Sequence, residues 1–537
     1  MNQKPLSMRF PSESDIPDRF RIDPVHQRKY LIGGELKTWN GPVHEVVSPV
    51  HVRTDGGDLS AYRIGSYPVM TEREAMDALD AAVRAFDGGS GPWPTARLRD
   101  RIAAVESFLA RMEAKRRDIT LLMMWEIGKS IADCEKEFDR TVAYLRDTID
   151  AARELDRSTA PIIEQDSIIG RIRRTPVGIV LAMGPFNYPL NCTLVLLIPA
   201  LLMGNAVIMK PPRMGVLLFE PLLEAFRDCF PPGIAGTVYG EGDEVVRPLM
   251  QSGAIDVLAF IGTSKVANIL KRHHPRPNRL RSVLDLGAKN PAIVLPDADL
   301  DLAVRECLQG SLSFNGQRCT ALKILFVHRS IAETFTKRFC DGVSGMEMGM
   351  PWEPGVAITP VPEPAKTEYL LGLVEDARAH GAQVMNPCGG RAELTLFSPA
   401  VLFPVDSRMR VYHEEQFGPV VPIVPFDTIE EPLRWVKESA FGQQASIFGR
   451  DPAELARLID PLVNQVCRVN LNCACQRQPD TFPFNGRKDS GEGTLSVSDT
   501  LRMFSLRSVV AGRDNTASRD LLDDIGRAGQ SRFLSND

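Results

Sequence analysis

The sequence predicts an α/β fold, because short apolar stretches alternate with helical stretches over much of its 537 residues. From Pro176 onward, VGIVLAM, the Leu-rich TLVLLIPALLM and AVIMK follow one another, with Gly- and Pro-containing loops between them. The alternation continues through GTVYG, VLAFIG and AIVLP. Strands that are apolar on both faces are typical of parallel sheets covered by helices. We therefore predict buried parallel sheets.

Helices are predicted on the N-terminal side of these strands. TEREAMDALDAAVRAFDGG begins with Thr71 and Glu74 at capping-box spacing, repeats apolar residues at helical spacing and ends at Gly88. We expect further helices over 96–155.

The two ends of the chain are predicted to be irregular. Residues 1–60 are rich in Pro, Gly and charge, which predicts an irregular arm packed on the body. Residues 512–537 form a polar tail that we expect to fray.

Composition argues against several classes of function. A net charge of -5 provides no basic field for nucleic acid. The longest apolar run, 193–203, is too short for a membrane span and contains a proline. Ten scattered cysteines, and no signal-peptide pattern in MNQKPLSMRF, predict a reducing, cytoplasmic location. Cys473 and Cys475 lack a nearby His, so we interpret them as structural and predict no metal site.

The stretch FNGQRCTAL contains the candidate nucleophile, Cys319. An isolated cysteine is more often a small buried residue than a nucleophile. Here a tight turn, polar groups and the positive charge of Arg318 precede it, and such surroundings favour a thiolate.

Two further candidates follow predicted strands. Asn187 lies in GPFNYPLN, where its amide could stabilise an oxyanion or cap its own backbone. Asp285 lies at a strand end beside Gly287, where it could be a carboxylate base or a loop cap. Spacing alone does not decide between these alternatives.

Seven motifs in order resemble the aldehyde dehydrogenase superfamily over about residues 30–510: PFNYP, MKPP, FIGTSKVA, LDLGAKNPAIVLPDADLDLA, FNGQRCTA, HEEQFGPVVP and FPFNGRKDSG. The resemblance implies two Rossmann-like α/β domains and a small β oligomerisation arm. We assign 61–157 and 177–286 to the cofactor-binding domain and 287–485 to the catalytic domain. The oligomerisation elements are expected at 158–176 and 490–511, with strands pairing across subunits of a homodimer or homotetramer.

The resemblance also implies residue roles. Cys319 would be the nucleophile, and Asn187 with the backbone N–H of Cys319 would form the oxyanion hole. Asp285 replaces the family's glutamate base and is shorter by about 1.5 Å, so we expect slower deacylation. The implied cofactor residues are Lys210, Gly262, Thr263, Glu415 and Phe417.

Cofactor choice is predicted from Arg213, three residues after Lys210, where NAD-preferring relatives carry a glutamate. A guanidinium there would pair with a 2′-phosphate, which favours NADP over NAD. The alternative is an exposed arginine away from the cofactor.

The substrate is predicted from a resemblance to the non-phosphorylating glyceraldehyde-3-phosphate dehydrogenase branch. Its phosphate-binding residues match Arg140, Tyr188, Arg318 and Arg477. This implies oxidation of glyceraldehyde 3-phosphate to 3-phosphoglycerate without inorganic phosphate. Two alternatives stay open: an enzyme for another acidic aldehyde or semialdehyde, and an NADP-binding protein with little turnover.

Overall fold

The computed structural model describes residues 5–159 and 161–535. Its α-helices are α1 Glu72–Phe86, α2 Leu98–Glu113, α3 Arg116–Ile127, α4 Ile131–Thr159, α5 Pro189–Leu202, α6 Leu223–Cys229, α7 Gly242–Gln251, α8 Ser264–His273, α9 Leu300–Leu312, α10 Arg329–Ser344, α11 Lys366–Ala379, α12 Arg410–His413, α13 Glu430–Glu438, α14 Pro452–Leu462, α15 Val497–Met503 and α16 Thr516–Arg527.

The strands of the first half are β1 Val25–His26, β2 Lys29–Ile32, β3 Glu35–Thr38, β4 Val43–Arg53, β5 Leu59–Pro68, β6 Ile163–Gln165, β7 Ile168–Pro176, β8 Ile179–Met183, β9 Ala206–Met209, β10 Ala235–Thr237, β11 Val257–Ile261 and β12 Arg281–Asp285. Those of the second half are β13 Asn290–Val294, β14 Leu322–His328, β15 Gln383–Val384, β16 Ala392–Glu393, β17 Leu396–Phe397, β18 Ala400–Phe403, β19 Val420–Phe426, β20 Phe441–Gly442, β21 Gln444–Phe448, β22 Arg468–Leu471, β23 Arg487–Lys488, β24 Gly491–Glu492 and β25 Ser505–Arg513.

The first large sheet has the order β10-β9-β8-β11-β12-β24 and is parallel except for its edge strand β24. Its central strands are wholly buried, as the continuous apolar stretches predicted. Because parallel strands end at one edge, the residues that follow β8, β9, β11 and β12 lie along the same carboxyl edge. That edge carries Asn187, Lys210, Gly262, Thr263 and Asp285.

The second large sheet has the order β15-β18-β19-β14-β13-β21-β22, and only the edge strand β15 is antiparallel. Here the candidate residues precede strands: Cys319 lies before β14, and Glu415 and Phe417 lie before β19. The α/β prediction with two Rossmann-like units is therefore confirmed. The site forms where the carboxyl edge of the first sheet meets the amino edge of the second.

The third sheet, β25-β7-β6, is the predicted arm. β25 pairs with β7 over nine residues within the same chain, so these strands do not depend on a second subunit to pair with one another. Residues 490–511, predicted as an oligomerisation element, do not all join this sheet, because β24 joins the first sheet and α15 packs on α4 and α5. Buried Val497 and Leu501 explain this placement.

The N-terminal arm is not irregular, contrary to our expectation. β2 pairs with β3, and the long strands β4 and β5 form an antiparallel hairpin. The stretch RTDGGDLS, which we interpreted as loop composition, is the turn of this hairpin. α1, by contrast, confirms its prediction: Thr71 and Glu74 form the capping box.

The tail also differs from the prediction of fraying, as far as the structure describes it, to Ser535. Its polar residues form α16, which Asn515 caps through the N–H of Ser518. The end of the tail then docks on β7: Arg171 donates to the Leu534 carbonyl, and Arg173 Nη2 donates to the Ser535 carbonyl at 2.6 Å. Arginines on β7 thus anchor the tail through its backbone. Across residues 5–159 and 161–535, no helix combines the length and the apolar character needed to cross a membrane.

Candidate active site

A strained turn positions the candidate nucleophile. Phe314, Asn315 and Gly316 follow α9 with φ values of 48°, 55° and 69°. A Cβ on Gly316 would lie 2.7 Å from the Ser311 carbonyl oxygen, so this position requires glycine. Asn315 ties the turn to Thr359 by accepting from its N–H at 2.9 Å and donating to its carbonyl at 3.0 Å. Strain of this kind is typical of functional sites.

Cys319 is half-buried at the end of this turn. Burial and the charge of Asp285 raise the pKa of its thiol well above the ordinary value, while Lys323 and Arg477 oppose the rise. The sequence predicted that Arg318 would supply the nearby positive charge. Arg318 instead directs its Nη2 to the carbonyls of Gln309 and Gly310, at 3.3 and 2.7 Å. Because burial disfavours the thiolate, a base is needed to remove the thiol proton.

Asp285 is a buried carboxylate and the candidate for this base. Its Oδ1 accepts from Gln443 Nε2 at 3.0 Å, and its Oδ2 is buried without a hydrogen-bond partner within the described part of the chain. Burial raises the pKa of Asp285 to about 6, against the opposing effects of Arg477, the Gln443 amide and the neighbouring Cys319 thiol. A carboxylate with this pKa can accept a proton near neutral pH.

Asn187 lies on the loop between β8 and α5 and points to the cysteine turn. Its Nδ2 donates to the Gln317 carbonyl at 2.9 Å, and its own carbonyl accepts from Lys129 Nζ at 2.8 Å. The structure thus brings Asn187, Cys319 and Asp285 to one place. The residue is anchored at its backbone, and its side-chain amide is bonded to Gln317, two residues before Cys319.

A fully buried ion pair holds this loop. Lys129 Nζ lies 2.6 Å from Glu137 Oε2, and both side chains have 0% exposure. The other carboxylate oxygen of Glu137 accepts from the N–H groups of Leu190 and Asn191 in the first turn of α5. Burial by itself lowers the pKa of Lys129, but Glu137 and further neighbours outweigh it, and the net shift is upward. Lys129 therefore stays charged, and the pair holds the loop at Asn187 and at the first turn of α5.

Lys210 and Arg213 lie together beyond β9. Burial lowers the pKa of Lys210 to about 8; Glu241 opposes this shift, and the charge of Arg213 adds to it. Arg213 is exposed, and its Nη2 lies 3.2 Å from His44 Nε2. Two cations at the carboxyl edge of a parallel sheet suit a nucleotide phosphate and ribose. Glu241 is an acid at this place that the sequence analysis missed.

Gly262 and Thr263 form the turn between β11 and α8. The Gly262 N–H donates to the Asp285 carbonyl at 3.0 Å, which links this turn to the strand that carries the base. The Thr263 hydroxyl caps α8 by accepting from the Val266 N–H at 3.3 Å. The N-terminus of α8 at this edge is a suitable position for a pyrophosphate.

Glu415 and Phe417 approach from the second sheet. Glu415 Oε1 accepts from Lys323 Nζ at 2.7 Å and from the Ala288 N–H at 3.1 Å. Lys323 Nζ also donates to the Cys319 carbonyl at 3.1 Å, so one buried lysine bridges the nucleophile and this carboxylate. Phe417 has a φ of 43° and packs edge-on against Phe186 at 5.9 Å between ring centroids. These groups fit the nicotinamide ribose end of a dinucleotide.

The four predicted phosphate-binding residues fall into two groups. Arg140 makes a bidentate pair with Asp480, at 3.0 and 2.7 Å, and Arg477 Nε lies 3.3 Å from the same carboxylate. Arg477 is buried, its charge acts on Asp285, and its Nη2 is without a partner among the described residues. It is thus the cation aimed at the reacting groups.

Tyr188 and Arg318 form the second group. The ring of Tyr188 covers Lys129 Nζ at 3.6 Å, and the charge of Arg318 acts on its hydroxyl and lowers its pKa, although burial, the larger effect, raises it. Arg318 is turned toward the end of α9. The structure therefore does not show all four side chains converging on one point.

The sequence analysis missed four residues that position the site: Lys129, Glu137, Lys323 and Asp480. The stretch IGKS, which contains Lys129, carried no signal beyond a poor match to a P-loop. Asp480 follows Arg477 at i,i+3 within QRQPD, and that spacing is a usable signal for an ion pair. The described residues contain no cluster of His, Cys, Asp and Glu that could hold a metal, and all ten cysteines are free thiols.

Comparison with known proteins gives one consistent answer. Residues 59–510 match the model of the aldehyde dehydrogenase family. The chain is 32% identical to an NADP-dependent glyceraldehyde-3-phosphate dehydrogenase of Streptococcus equinus, over 83% of this chain and 93% of that protein. It is 28% identical to a peroxisomal aminoaldehyde dehydrogenase of Pisum sativum, over 88% and 92%.

Solved structures agree with this result. The NADP complex of an NADP-dependent glyceraldehyde-3-phosphate dehydrogenase from Bacillus halodurans superposes with a TM-score of 0.84 at 30% identity, over 92% of this chain and 100% of that one. An NAD-dependent aldehyde dehydrogenase from Sinorhizobium meliloti gives 0.84 at 26% identity, over 94% and 97%. The chain belongs to the aldehyde dehydrogenase family and is an oxidoreductase.

Proposed function

We propose that this enzyme oxidises glyceraldehyde 3-phosphate to 3-phosphoglycerate with NADP, through a thioester on Cys319 and without inorganic phosphate. The observation that carries the proposal is Arg477: a buried guanidinium whose Nη2 has no partner among residues 5–159 and 161–535, and whose charge acts on both Asp285 and Cys319. Relatives with about 30% identity over most of the chain carry this activity in their names.

The residues suggest the following order of events. Asp285 removes the thiol proton, and the Cys319 sulfur forms a bond to C1 of the aldehyde. Asn187 stabilises the negative charge that develops on the carbonyl oxygen. A bound NADP would supply the hydride acceptor for C1, and loss of the hydride would leave an acyl thioester on Cys319. Asp285 then returns the thiol proton to solvent. Water attacks C1, Asp285 takes a proton from the water, and that proton passes to the sulfur as the C–S bond breaks to release the acid and the thiol.

The choice of NADP rests on Arg213 and its neighbours. Its charge acts on Lys210, which supports a position at the ribose end of the proposed cofactor site. Lys210, Arg213, Thr263, Glu415 and Phe417 would hold the cofactor. Glu241 raises the pKa of the same lysine, whereas Arg213 lowers it. Because an acidic residue also acts at this place, NAD stays open as the weaker alternative.

A second candidate function is the oxidation of another acidic aldehyde or a semialdehyde. It is favoured by Asp480, which already neutralises Arg140 through a bidentate pair. A site with one available arginine suits one carboxylate as well as it suits a phosphate. The third alternative, an NADP-binding protein with little turnover, rests on the shorter Asp285 side chain.

We further propose that the protein is a homodimer or homotetramer that assembles through the β25-β7-β6 sheet. Apolar side chains stand exposed on its three strands, among them Ile163, Ile168, Leu506 and Val509. Exposed apolar residues on an open sheet edge are typical of a strand-pairing interface.

The first test follows NADPH absorbance with glyceraldehyde 3-phosphate and NADP in buffer without inorganic phosphate, beside unphosphorylated glyceraldehyde and a semialdehyde. Sustained NADPH formation selective for the phosphorylated aldehyde is expected. Equal or better rates with the semialdehyde would favour the second candidate. One stoichiometric burst, absent in Cys319→Ser, would mean acylation without efficient hydrolysis and would favour the third.

The second test exchanges Arg213 for glutamate. Arg213→Glu removes a partner of the 2′-phosphate and adds an acceptor for ribose hydroxyls, so the ratio of NADP to NAD activity should fall by at least about tenfold. Arg84→Glu, an exposed arginine on α1, is the matched control and should leave the ratio unchanged. An unchanged ratio in Arg213→Glu would remove Arg213 from the cofactor site.

A further inference from the structure

A cavity of about 600 Å³ lies away from the active site, between three parts of the chain. One wall is the segment before α2 together with the first turn of that helix. The second is the end of β7 and the residues that follow it, and the third is the tail segment 530–533. None of the candidate catalytic, cofactor or substrate residues lines this cavity.

The lining of the cavity is strongly basic. Among the described residues, a single carboxylate, that of Asp156, lines the cavity beside five arginines: Arg97, Arg101, Arg173, Arg174 and Arg532. Like charges that line one cavity repel one another, and an anion bound there would reduce this repulsion. The protein as a whole has a net charge of -5, so this concentration of positive charge is local.

Two of these arginines are buried without full hydrogen bonding. Arg101 is 7% exposed and Arg173 is 8% exposed, and the Nε atom of each is without a partner in the described part of the chain. Burial also lowers the pKa of Arg101 to about 10, against the opposing charges of Asp156 and Asp100. A buried guanidinium with an unused N–H is costly unless an anion occupies the space in front of it.

The N-terminus of α2 adds to the same field. Its N-cap residue, Arg97, provides no side-chain cap, and residues 96–98 line the cavity. α2 has 16 residues, long enough to place a substantial partial positive charge at this end. Exposed N–H groups at such a terminus are suitable donors to phosphate oxygens.

The tail that closes this cavity lies outside the part of the chain that matches the family. Arg532 Nη1 donates to the Thr95 carbonyl at 3.1 Å, which closes the tail over the cavity. The tail lies beyond residue 510, where the match to the family ends.

We propose that this cavity is a second binding site, for a small phosphorylated metabolite that carries two or more negative charges. A volume of this size is within the range of pockets for small molecules and accommodates a nucleotide or a sugar bisphosphate. Both ligands share the chemistry that the site recognises, namely phosphate groups in front of arginines and a helix N-terminus.

The test is titration calorimetry on the full chain at fixed ionic strength, with ATP, fructose 1,6-bisphosphate and inorganic pyrophosphate as probes. Adenosine and fructose are the uncharged counterparts and should not bind. The probes distinguish the two classes of ligand. Tighter binding of ATP than of fructose 1,6-bisphosphate indicates a nucleotide, and the reverse indicates a sugar phosphate.

Variants assign the binding to this cavity. Arg101→Met should weaken the affinity at least about tenfold, since it removes a charge-assisted hydrogen bond. Arg532→Gln, an exposed change that does not threaten folding, should weaken it several-fold. Arg99→Met, on the same helix but 61% exposed at its side chain, is the matched control and should leave it unchanged. Binding that survives Arg101→Met and Arg532→Gln but is lost in Arg477→Gln, or no binding by any probe, would overturn the proposal.

Discussion

The loop that carries Asn187 lies near two buried acid–base arrangements that are built in opposite ways. In the first, Lys129 and Glu137 are 2.6 Å apart, and both oxygens of the carboxylate are bonded. In the second, the charge of Arg477 lowers the pKa of Asp285, but Asp285 Oδ2 and Arg477 Nη2 are both buried without hydrogen-bond partners within the described residues. We call the Lys129–Glu137 pair, in which both carboxylate oxygens are bonded, the closed pair. We call the Asp285–Arg477 pair, which leaves buried atoms unbonded, the open pair.

This difference separates positioning from chemistry. A buried ion pair with complete hydrogen bonding is rigid, and it fixes the oxyanion loop at the start of α5. Unpaired buried atoms cost stability, so they persist where a substrate or a proton will use them. Burial raises the pKa of Asp285, and its incomplete pairing does not offset that rise, whereas at Lys129 the charge of Glu137 and further neighbours more than offset the effect of burial.

The largest expected effect comes from breaking the closed pair. Lys129→Met leaves Glu137 buried and uncompensated, which should cost about 3–5 kcal/mol of unfolding free energy. Urea denaturation measures this, with Lys136→Met as the control because that lysine is exposed. The double variant Lys129→Met/Glu137→Gln should recover part of the loss. A loss below about 1 kcal/mol in the single variant would show that the pair does not hold the loop.

The two pairs differ in how far they could be predicted from the sequence. The open pair was within reach, since Asp285 and Arg477 lie in motifs that resemble the family's catalytic and substrate residues. The closed pair was not, because Lys129 and Glu137 are ordinary charged residues at a helix start, and only the three-dimensional packing buries them. Burial of a charge depends on which distant segments cover it, here Tyr188 and Phe314.

The fold shows the same limit. The sheets and α1 were predictable, because apolar runs and capping residues are local signals. The docking of the tail was not, because it depends on Arg171 and Arg173 of β7 reaching the carbonyls of Leu534 and Ser535. Local composition, which is polar there, pointed to the wrong outcome.

The next largest effect comes from removing the charge of the open pair. The pKa of Asp285 is about 6 in the folded protein against an ordinary 3.8, so the folded state holds its proton more tightly than the unfolded state does. The wild-type protein therefore loses stability as the pH rises from about 4 through 6. Asp285→Asn avoids this loss and should be more stable at pH 8 by up to about 3 kcal/mol, with turnover abolished.

The pH dependence makes this prediction specific. Denaturation at pH 4 and at pH 8 should show a gain for Asp285→Asn only at the higher pH, and exposed Asp18→Asn should show no gain at either pH. A gain of equal size at both pH values would mean that the asparagine improves packing rather than removing a charge.

The smallest expected effect is a shift in the acid limb of the pH–rate profile. This shift is also the sharpest test of the open pair. Asp285 must be ionised to act as a base, so the rate should rise with pH through about 6 and then level off. Arg477→Gln removes a positive charge that lowers this pKa, and the limb should move upward by on the order of one pH unit. Arg477→Lys retains the charge and should stay near the wild-type position.

A matched variant separates charge from loop movement. Arg468 Nη1 donates to the carbonyls of Gln476 and Gln478 at 3.1 and 3.0 Å, so Arg468→Gln disturbs the segment that carries Arg477 without removing its charge. It should lower the rate while the limb stays near pH 6. If Arg477→Gln lowered the rate without moving the limb, its role would be confined to substrate binding or structure, and the carboxylate would be tuned by burial and Gln443 alone.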